Sequence, residues 1–500
     1  MRTRRRCLLG LAAGALAVTG LVVVPGTAAA QGRGLDWQPC PDAKGVDCAT
    51  VEVPLDWAKP GGEKIHIGLA RRKAKDPDHR IGSILMDPGG PGGSGVDVVK
   101  QTEVFTDQVN ARFDVVGFDP RGINTSTQLK CDTQLSQDAM NARHPTNQAE
   151  FDRLADLNKR LYDSCREHSG ALVDHADNLH TVRDLDAVRQ ALGERKLNYL
   201  GYSYGSLMGQ QYAEVFPHRI RAMVTDGNMD HSLRSTKDFM FTETEPVEKN
   251  FLEFAGWCDR SAECALHGQN TKAVYGDLRE KAKAGKLVDP QTKQPIDFYS
   301  LSQLAFGVNS PQGWTRLATN LKALKDGNGV LDMTAAADVS ENPYPAIWCS
   351  DWGFGVKDFA EYARLRGALA KKFPNIQWSP YVDHALSCVG SPVKYTNPRK
   401  PLDIDHAPPL VMIGNVHDPA TVYRWNRTAA EQSGAHLITY EGWGHTAYHP
   451  GRSQCVNDAV DAYLIDLKVP RDGLSCPSLE KPGVVGTQSM EPLTAGPYRA

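Results

Sequence analysis

The chain has 500 residues, 41% of them hydrophobic and 23% charged, which places it among folded globular proteins and excludes disordered and fibrous classes. Its formal charge of −3 leaves no basic surplus for a nucleic-acid-binding face. The length exceeds that of a usual single domain and calls for a large domain with a substantial insertion, or for two domains.

Residues 1–30 differ from the rest. Arg2, Arg4, Arg5 and Arg6 precede an apolar stretch from Cys7 to Val24, and Thr27-Ala28-Ala29-Ala30 follows with a small-residue cleavage pattern, as in a signal peptide. The alternative is a membrane anchor, but Gly10, Gly14, Gly20 and Pro25 interrupt a run that is marginal for a bilayer span. Thr3-Arg4-Arg5-Arg6-Cys7-Leu8-Leu9 resembles a twin-arginine signal with Cys7 where Phe is favoured, which leaves Sec and Tat export both open. The expectation is a secreted, extracellular protein with no stable membrane span after cleavage, no nucleic-acid partner, and a monomeric state. Removing four of the 56 basic residues leaves 52 against 59 acidic ones, a formal charge of −7.

Cleavage also removes Cys7 and leaves ten cysteines. An even number in an exported chain points to disulfides. Nearest-neighbour pairing is the simplest connectivity: Cys40–Cys48, Cys131–Cys165, Cys258–Cys264, Cys349–Cys388 and Cys455–Cys476. Spacing alone leaves other pairings open. No C-x-x-C pair or His/Cys cluster has zinc spacing, so no metal and no organic cofactor is expected.

Along the chain, Thr50–Val53 and Lys64–Ala70 alternate as opening strands. Ser83–Met86, Phe113–Phe118, Leu197–Leu200 and Ala222–Thr225 are short apolar runs ending at Gly or Asp, as buried parallel strands do. His180–Leu192 and Ser206–Phe216 are predicted helices between them, and the alternation argues for a doubly wound sheet. From about Asp230 to Lys400 the pattern turns helical, at Glu248–Trp257, Ala273–Ala284, Trp314–Leu324 and Lys357–Lys372. Strand-like runs resume at Pro409–Ile413 and His436–Tyr440, before a helix over Gln454–Leu467. The expected organisation is a signal peptide (1–30), the first part of an α/β core (31–230), a mainly helical cap insertion (231–400) and the second part of the core (401–500).

Gly201-Tyr202-Ser203-Tyr204-Gly205 matches G-x-S-x-G between a predicted strand and a predicted helix, the context in which a serine is raised on a sharp turn as a nucleophile. The bland alternative is a glycine-rich turn with a capping serine. A serine nucleophile needs a base to take its proton and an acid to orient that base. In the α/β-hydrolase fold they follow in the order Ser, Asp, His, at the carboxyl ends of late strands. Asp418 follows Pro409–Ile413, and His445, in Gly442-Trp443-Gly444-His445-Thr446, follows His436–Tyr440. Of fifteen histidines, His445 is therefore preferred over His417, His436 and His449. Asp403 and Asp405 precede their strand and belong to its wrong end.

The glycine-rich Asp87–Gly95 loop follows Ser83–Met86 and matches no phosphate-binding pattern. In this fold it supplies one oxyanion-hole amide, here Gly90, and the residue after the nucleophile, Tyr204, supplies the other. Arg121, in Phe118-Asp119-Pro120-Arg121-Gly122, either binds substrate or forms a buried ion pair that fixes the loops.

The glycine loop, Phe118–Gly122, Gly201–Gly205, Asp418-Pro419-Ala420-Thr421, Gly442–Tyr448 and Gly451–Cys455 with the late Cys476 together resemble the secreted tripeptidyl aminopeptidases of actinobacteria, within the prolyl-aminopeptidase-like branch of the α/β-hydrolases. Val422 departs from that pattern, which commonly has Pro there. The resemblance implies a serine exopeptidase that releases short peptides, often tripeptides, from free N-termini, with Ser203, Asp418 and His445 as triad. Such an enzyme must bind a charged amino group, for which a partly desolvated carboxylate is the natural partner. Glu243, Glu245 and Asp351 are the candidates, and Thr421 either lines the site or caps a helix. The alternatives are a prolyl aminopeptidase or dipeptidyl peptidase, a secreted carboxylesterase or lipase, and a catalytically dead hydrolase fold used for binding.

Overall fold

A computed structural model describes residues 35–331 and 344–482. The expected signal peptide, residues 1–30, lies outside the described residues. Ten strands form one sheet: β1 (Gln38–Pro39), β2 (Asp47–Pro54), β3 (Lys64–Arg72), β4 (Gly82–Asp87), β5 (Phe113–Phe118), β6 (Leu197–Tyr202), β7 (Ile220–Asp226), β8 (Val411–His417), β9 (His436–Trp443) and β10 (Ser475–Cys476). Their order is β1-β2-β3-β5-β4-β6-β7-β8-β9-β10. β5 through β10 run parallel, and β1, β2 and β3 add an antiparallel edge.

The apolar runs become central strands because both of their faces are covered. Every residue of β4, β5 and β6 is buried, and successive side chains enter opposite layers. Leu85, Val116, Leu197 and Tyr199 join a core with Val182, Leu185, Leu207 and Tyr212 of the helices Asn178–Ala191 and Tyr204–Val215. Ile84, Met86, Val115, Leu200 and Val224 join a second core with Val96, Val99, Val456 and Val460 of the helices Gly95–Gln101 and Gln454–Asp466. Helices on both faces of a mostly parallel sheet are the α/β arrangement expected from the sequence.

Between β7 and β8 the chain leaves the sheet. The helices Thr236–Arg260, Thr271–Lys283, Phe298–Ala305 and Trp314–Asp326 enclose their own apolar cluster, which includes Val247, Phe251, Phe254, Tyr275, Trp314 and Leu321. Tyr344–Trp352, by contrast, packs Ile347, Trp348 and Trp352 into the core on one face of the sheet. The first of these helices starts twelve residues before the expected Glu248 and runs through Pro246. A second extension lies between β5 and β6, where the 22-residue helix Gln148–Ser169 was not anticipated. Its Asn158 donates to the carbonyls of Leu386 (3.0 Å) and Val389 (2.8 Å), fastening it to the segment before β8.

Five disulfides join Cys40–Cys48, Cys131–Cys165, Cys258–Cys264, Cys349–Cys388 and Cys455–Cys476. Among the described residues no helix is long and apolar enough to cross a membrane.

Candidate active site

β6 ends at Tyr202 and the helix Tyr204–Val215 begins two residues later, leaving Ser203 alone on the turn with φ 54° and ψ −119°. This sparsely populated conformation stores local strain and is characteristic of a nucleophile raised above a sheet. Ser203 caps nothing, since its side chain makes no cap hydrogen bond, so the capping-serine alternative fails. Its amide donates to the carbonyl of Asp226 at the end of β7 (2.9 Å).

The next residue, Gly227, brings the histidine in. At φ +72° it sits so close to the β9 loop that an added Cβ would lie 3.0 Å from Cε1 of His445. Ser203 and His445 thus flank the same Asp226–Gly227 turn. Nδ1 of His445 is 2.8 Å from Oδ2 of Asp418, and the buried Nε2 has no hydrogen-bond partner among the described residues.

Asp418 is fully buried and is held by donors from its own loop. Its Oδ1 accepts from the amides of Ala420 (2.8 Å) and Thr421 (3.0 Å), and Oδ2 accepts from the Thr421 hydroxyl (2.9 Å). Thr421 Oγ1 also lies 3.2 Å from Nδ1 of His445. Thr421 therefore stands behind the His–Asp pair, and the cap of the helix Tyr423–Ser433 is Val422, without a side-chain bond. Neither a substrate-lining nor a capping position, as expected from the sequence, describes it.

A second carboxylate adjoins the histidine loop. Asp226 is fully buried and accepts from the amides of Ala447 and Tyr448, both at 2.7 Å. Burial raises its pKa to about 6, against the lowering effect of those amides. It fixes the backbone that carries His445, while Asp418 meets the ring itself. The rival histidines are otherwise engaged: His417 stacks on Trp443 at 3.9 Å and pairs with Asn250 at 2.9 Å, His436 lies 2.6 Å from Asp472, and His449 contacts Thr446 Oγ1 at 2.7 Å. Asp403 and Asp405 are exposed.

The glycine loop lies against the serine. An added Cβ on Gly89 (φ +89°) would come 2.7 Å from the Tyr204 amide nitrogen and 3.0 Å from Ser203 Cβ, so only glycine permits this approach. Tyr204 N–H, in the first turn of its helix, has no intrahelical partner. The loop is braced by Asp87 Oδ1, which accepts from Gly89 N (2.8 Å), and by Asp119, which accepts from Ser94 Oγ (2.6 Å) and Val96 N (3.1 Å). Burial pushes Asp87 up to about 8 and also raises Asp119. Sequence reasoning missed these braces and Asp226, although each aspartate directly follows or closes an apolar strand.

Among the three carboxylates considered for amine binding, the structure separates the roles. Glu243 is 2% exposed, and its Oε2 has no hydrogen-bond partner among the described residues. Burial raises its pKa well above the usual range, and the nearby charge of Asp418 adds to the rise. Glu245 is half-buried and paired with Lys249 at 2.8 Å. Asp351 is committed within the core: it accepts from the Asn178 amide (2.9 Å), Asn397 Nδ2 (2.8 Å) and the Tyr204 hydroxyl. Both of its oxygens already accept from donors of the fold. Arg121, also buried, pairs with Asp184 at 2.7 Å and is a structural pin.

A strained serine between strand and helix, with an aspartate and a histidine at the ends of β8 and β9 of the same parallel sheet, defines an α/β-hydrolase. Residues 82–269 match the family model described as alpha/beta hydrolase fold, and residues 375–476 match the one described as TAP-like protein. The chain is 31% identical to a serine protease Hip1 of Mycobacterium tuberculosis, over 93% of this chain and 96% of that protein. It is 30% identical to a tripeptidyl aminopeptidase of Streptomyces lividans, over 89% and 86%, and 30% identical to a carboxylesterase B of Mycobacterium tuberculosis, over 86% and 86%. The chain belongs to the TAP-like α/β-hydrolases and is a serine hydrolase.

Proposed function

We propose that this protein is a secreted serine exopeptidase that removes short peptides, tripeptides foremost, from free N-termini. The observation that carries the exopeptidase reading is Glu243: a buried carboxyl on the inserted helix Thr236–Arg260, with an oxygen unpaired among the described residues and close enough to Asp418 to feel its charge. Such a carboxyl costs stability unless a cation answers it, and a substrate α-ammonium is that cation. The helical insertion then acts as a cap that ends the cleft. The names of the Hip1 and Streptomyces relatives support a peptide substrate.

In this reading His445 Nε2 takes the proton of Ser203, and the serinate attacks the scissile carbonyl. The amides of Gly90 and Tyr204 hold the oxyanion, and His445 returns the proton to the leaving amine. Water activated by the same histidine releases the acyl product, while Asp418 stabilises the imidazolium. The five disulfides accord with export into an oxidising environment.

The test is cleavage of a chromogenic tripeptide amide, free or N-acetylated, by the mature chain and its Ser203→Ala variant. Turnover of the free form alone, lost in the variant, supports the reading, and the length of the released product separates tripeptidyl from prolyl or dipeptidyl specificity. Equal turnover of both forms, or turnover of simple esters only, favours the carboxylesterase alternative suggested by the third relative.

A further inference from the structure

We infer that Asp56, His175 and His180 form a binding site for a borderline divalent cation, zinc in the first instance, separate from the hydrolytic centre. One ligand atom from each of the three lies within 4.8 Å of the others. Asp56 follows β2, His175 follows a short 3-10 turn at Gly170–Asp174, and His180 is in the first turn of the helix Asn178–Ala191. None of these elements carries Ser203, Asp418 or His445.

The two imidazoles set the geometry. His175 Nδ1 and His180 Nε2 face each other at 3.2 Å, close to the separation of about 3.3 Å that two nitrogens adopt on one tetrahedral zinc with bonds near 2.0–2.1 Å. The other nitrogen of His180, Nδ1, lies 2.8 Å from Oδ2 of Asp177. Asp177 is placed to accept the Nδ1 proton, which leaves the Nε2 lone pair directed at His175. A carboxylate behind a ligating histidine is the support that metal sites use to fix tautomer and orientation.

One side chain braces the backbone of His175 and of the residue before Asp56. Arg121 donates to the carbonyls of Leu55 (2.7 Å) and His175 (2.9 Å) and pairs bidentately with Asp184, one turn beyond His180. Trp57, next to Asp56, donates to the same Asp184 at 2.9 Å. The ligands thus belong to one rigid node. All three are partly exposed, so water can complete the coordination sphere and the ion can enter. Among the described residues the Asp56 carboxylate accepts from its own loop, at Ala58 N (2.8 Å), and pairs with the exposed Lys59 at 3.4 Å. The chemistry expected is structural: the ion ties the antiparallel edge of the sheet to the β5–β6 connection. Sequence spacing did not show it, because Asp56 lies more than a hundred positions from the histidines.

The test uses the mature chain without an affinity tag, stripped of metal, titrated with zinc chloride against a chromophoric chelator and with cobalt(II) for its visible spectrum. The expected result is one zinc per chain, a tetrahedral or five-coordinate cobalt band, and a thermal midpoint that rises with zinc. His180→Gln should abolish all three. Asp177→Asn, which keeps the helix cap, should weaken zinc by about 10- to 100-fold. His79→Gln, at an exposed histidine on another loop, should change nothing, and hydrolysis should be unaffected throughout. Should His180→Gln fail to fold, Asp177→Asn and Asp56→Asn carry the comparison. No zinc taken up, or uptake indifferent to these substitutions, overturns the site.

Discussion

The two imidazole edges of His445 differ: Nδ1 lies 2.8 Å from Asp418, while Nε2 is buried without a partner among the described residues. This asymmetry is what a general base needs, because the bonded edge fixes the tautomer that leaves a lone pair on the other. Asp418→Asn should keep the fold yet reverse that tautomer, lowering kcat by about 10⁴-fold. Steady-state kinetics beside circular dichroism checks it. Thr421→Val, which removes one donor to Asp418, should lower kcat by a smaller factor, and Thr421→Ser should restore it.

Glu243→Gln should raise KM for a free tripeptide amide by about 10- to 100-fold, the range of one charge-assisted hydrogen bond. It should leave an N-acetylated ester unaffected. Burial, and after it the nearby charge of Asp418, favour the neutral form of Glu243, whereas holding an ammonium calls for the ionised form. The ratio of kcat/KM for free over acetylated substrate should therefore climb with pH until the α-amino group itself titrates near pH 8. A flat ratio contradicts this role.

Asp87 offers a pH test of stability rather than rate. Its folded pKa is raised from 3.8 to about 8 by burial. The native state then holds a proton that the unfolded chain has lost, and the resulting stabilisation is complete below the unfolded value and disappears as pH rises through the folded one. Asp87→Asn keeps the acceptor for Gly89 and has no such titration. The thermal midpoint of wild type relative to the variant should fall between about pH 4 and about pH 8.

Cys349–Cys388 closes the longest disulfide loop described, with a sequence separation of 39. Replacing both residues by serine should lower the unfolding free energy by about 3–4 kcal/mol, measured by denaturant titration at constant temperature.

The catalytic framework was legible because strand ends and glycines announce themselves locally. β4, β5, β6 and β7 read as continuous apolar runs, and Ser203, Asp418 and His445 follow strands in the order the fold requires. What depends on distant partners was not legible. Asp351, beside Cys349, and Glu243 are both acidic residues in a helical stretch, and only folding reveals that one meets Asn178 and Asn397 while the other has an oxygen, Oε2, without a donor among the described residues. The helix expected at Glu248–Trp257 begins earlier and runs through Pro246, since packing of Phe239, Val247 and Phe251 on either side outweighs a local preference. The missed helix Gln148–Ser169 did carry a signal: Phe151, Leu154, Leu157, Leu161 and Cys165 recur at helical spacing and form its buried face.

The central claim is that Ser203 is the nucleophile of an acyl-transfer site. A fluorophosphonate probe reacts covalently with a serine that an adjacent base activates, and peptide mass spectrometry locates the adduct. The account predicts a single adduct on Ser203, lost in His445→Ala and competed by a free tripeptide amide. Labelling of another residue, or no labelling of a folded and active enzyme, would contradict it.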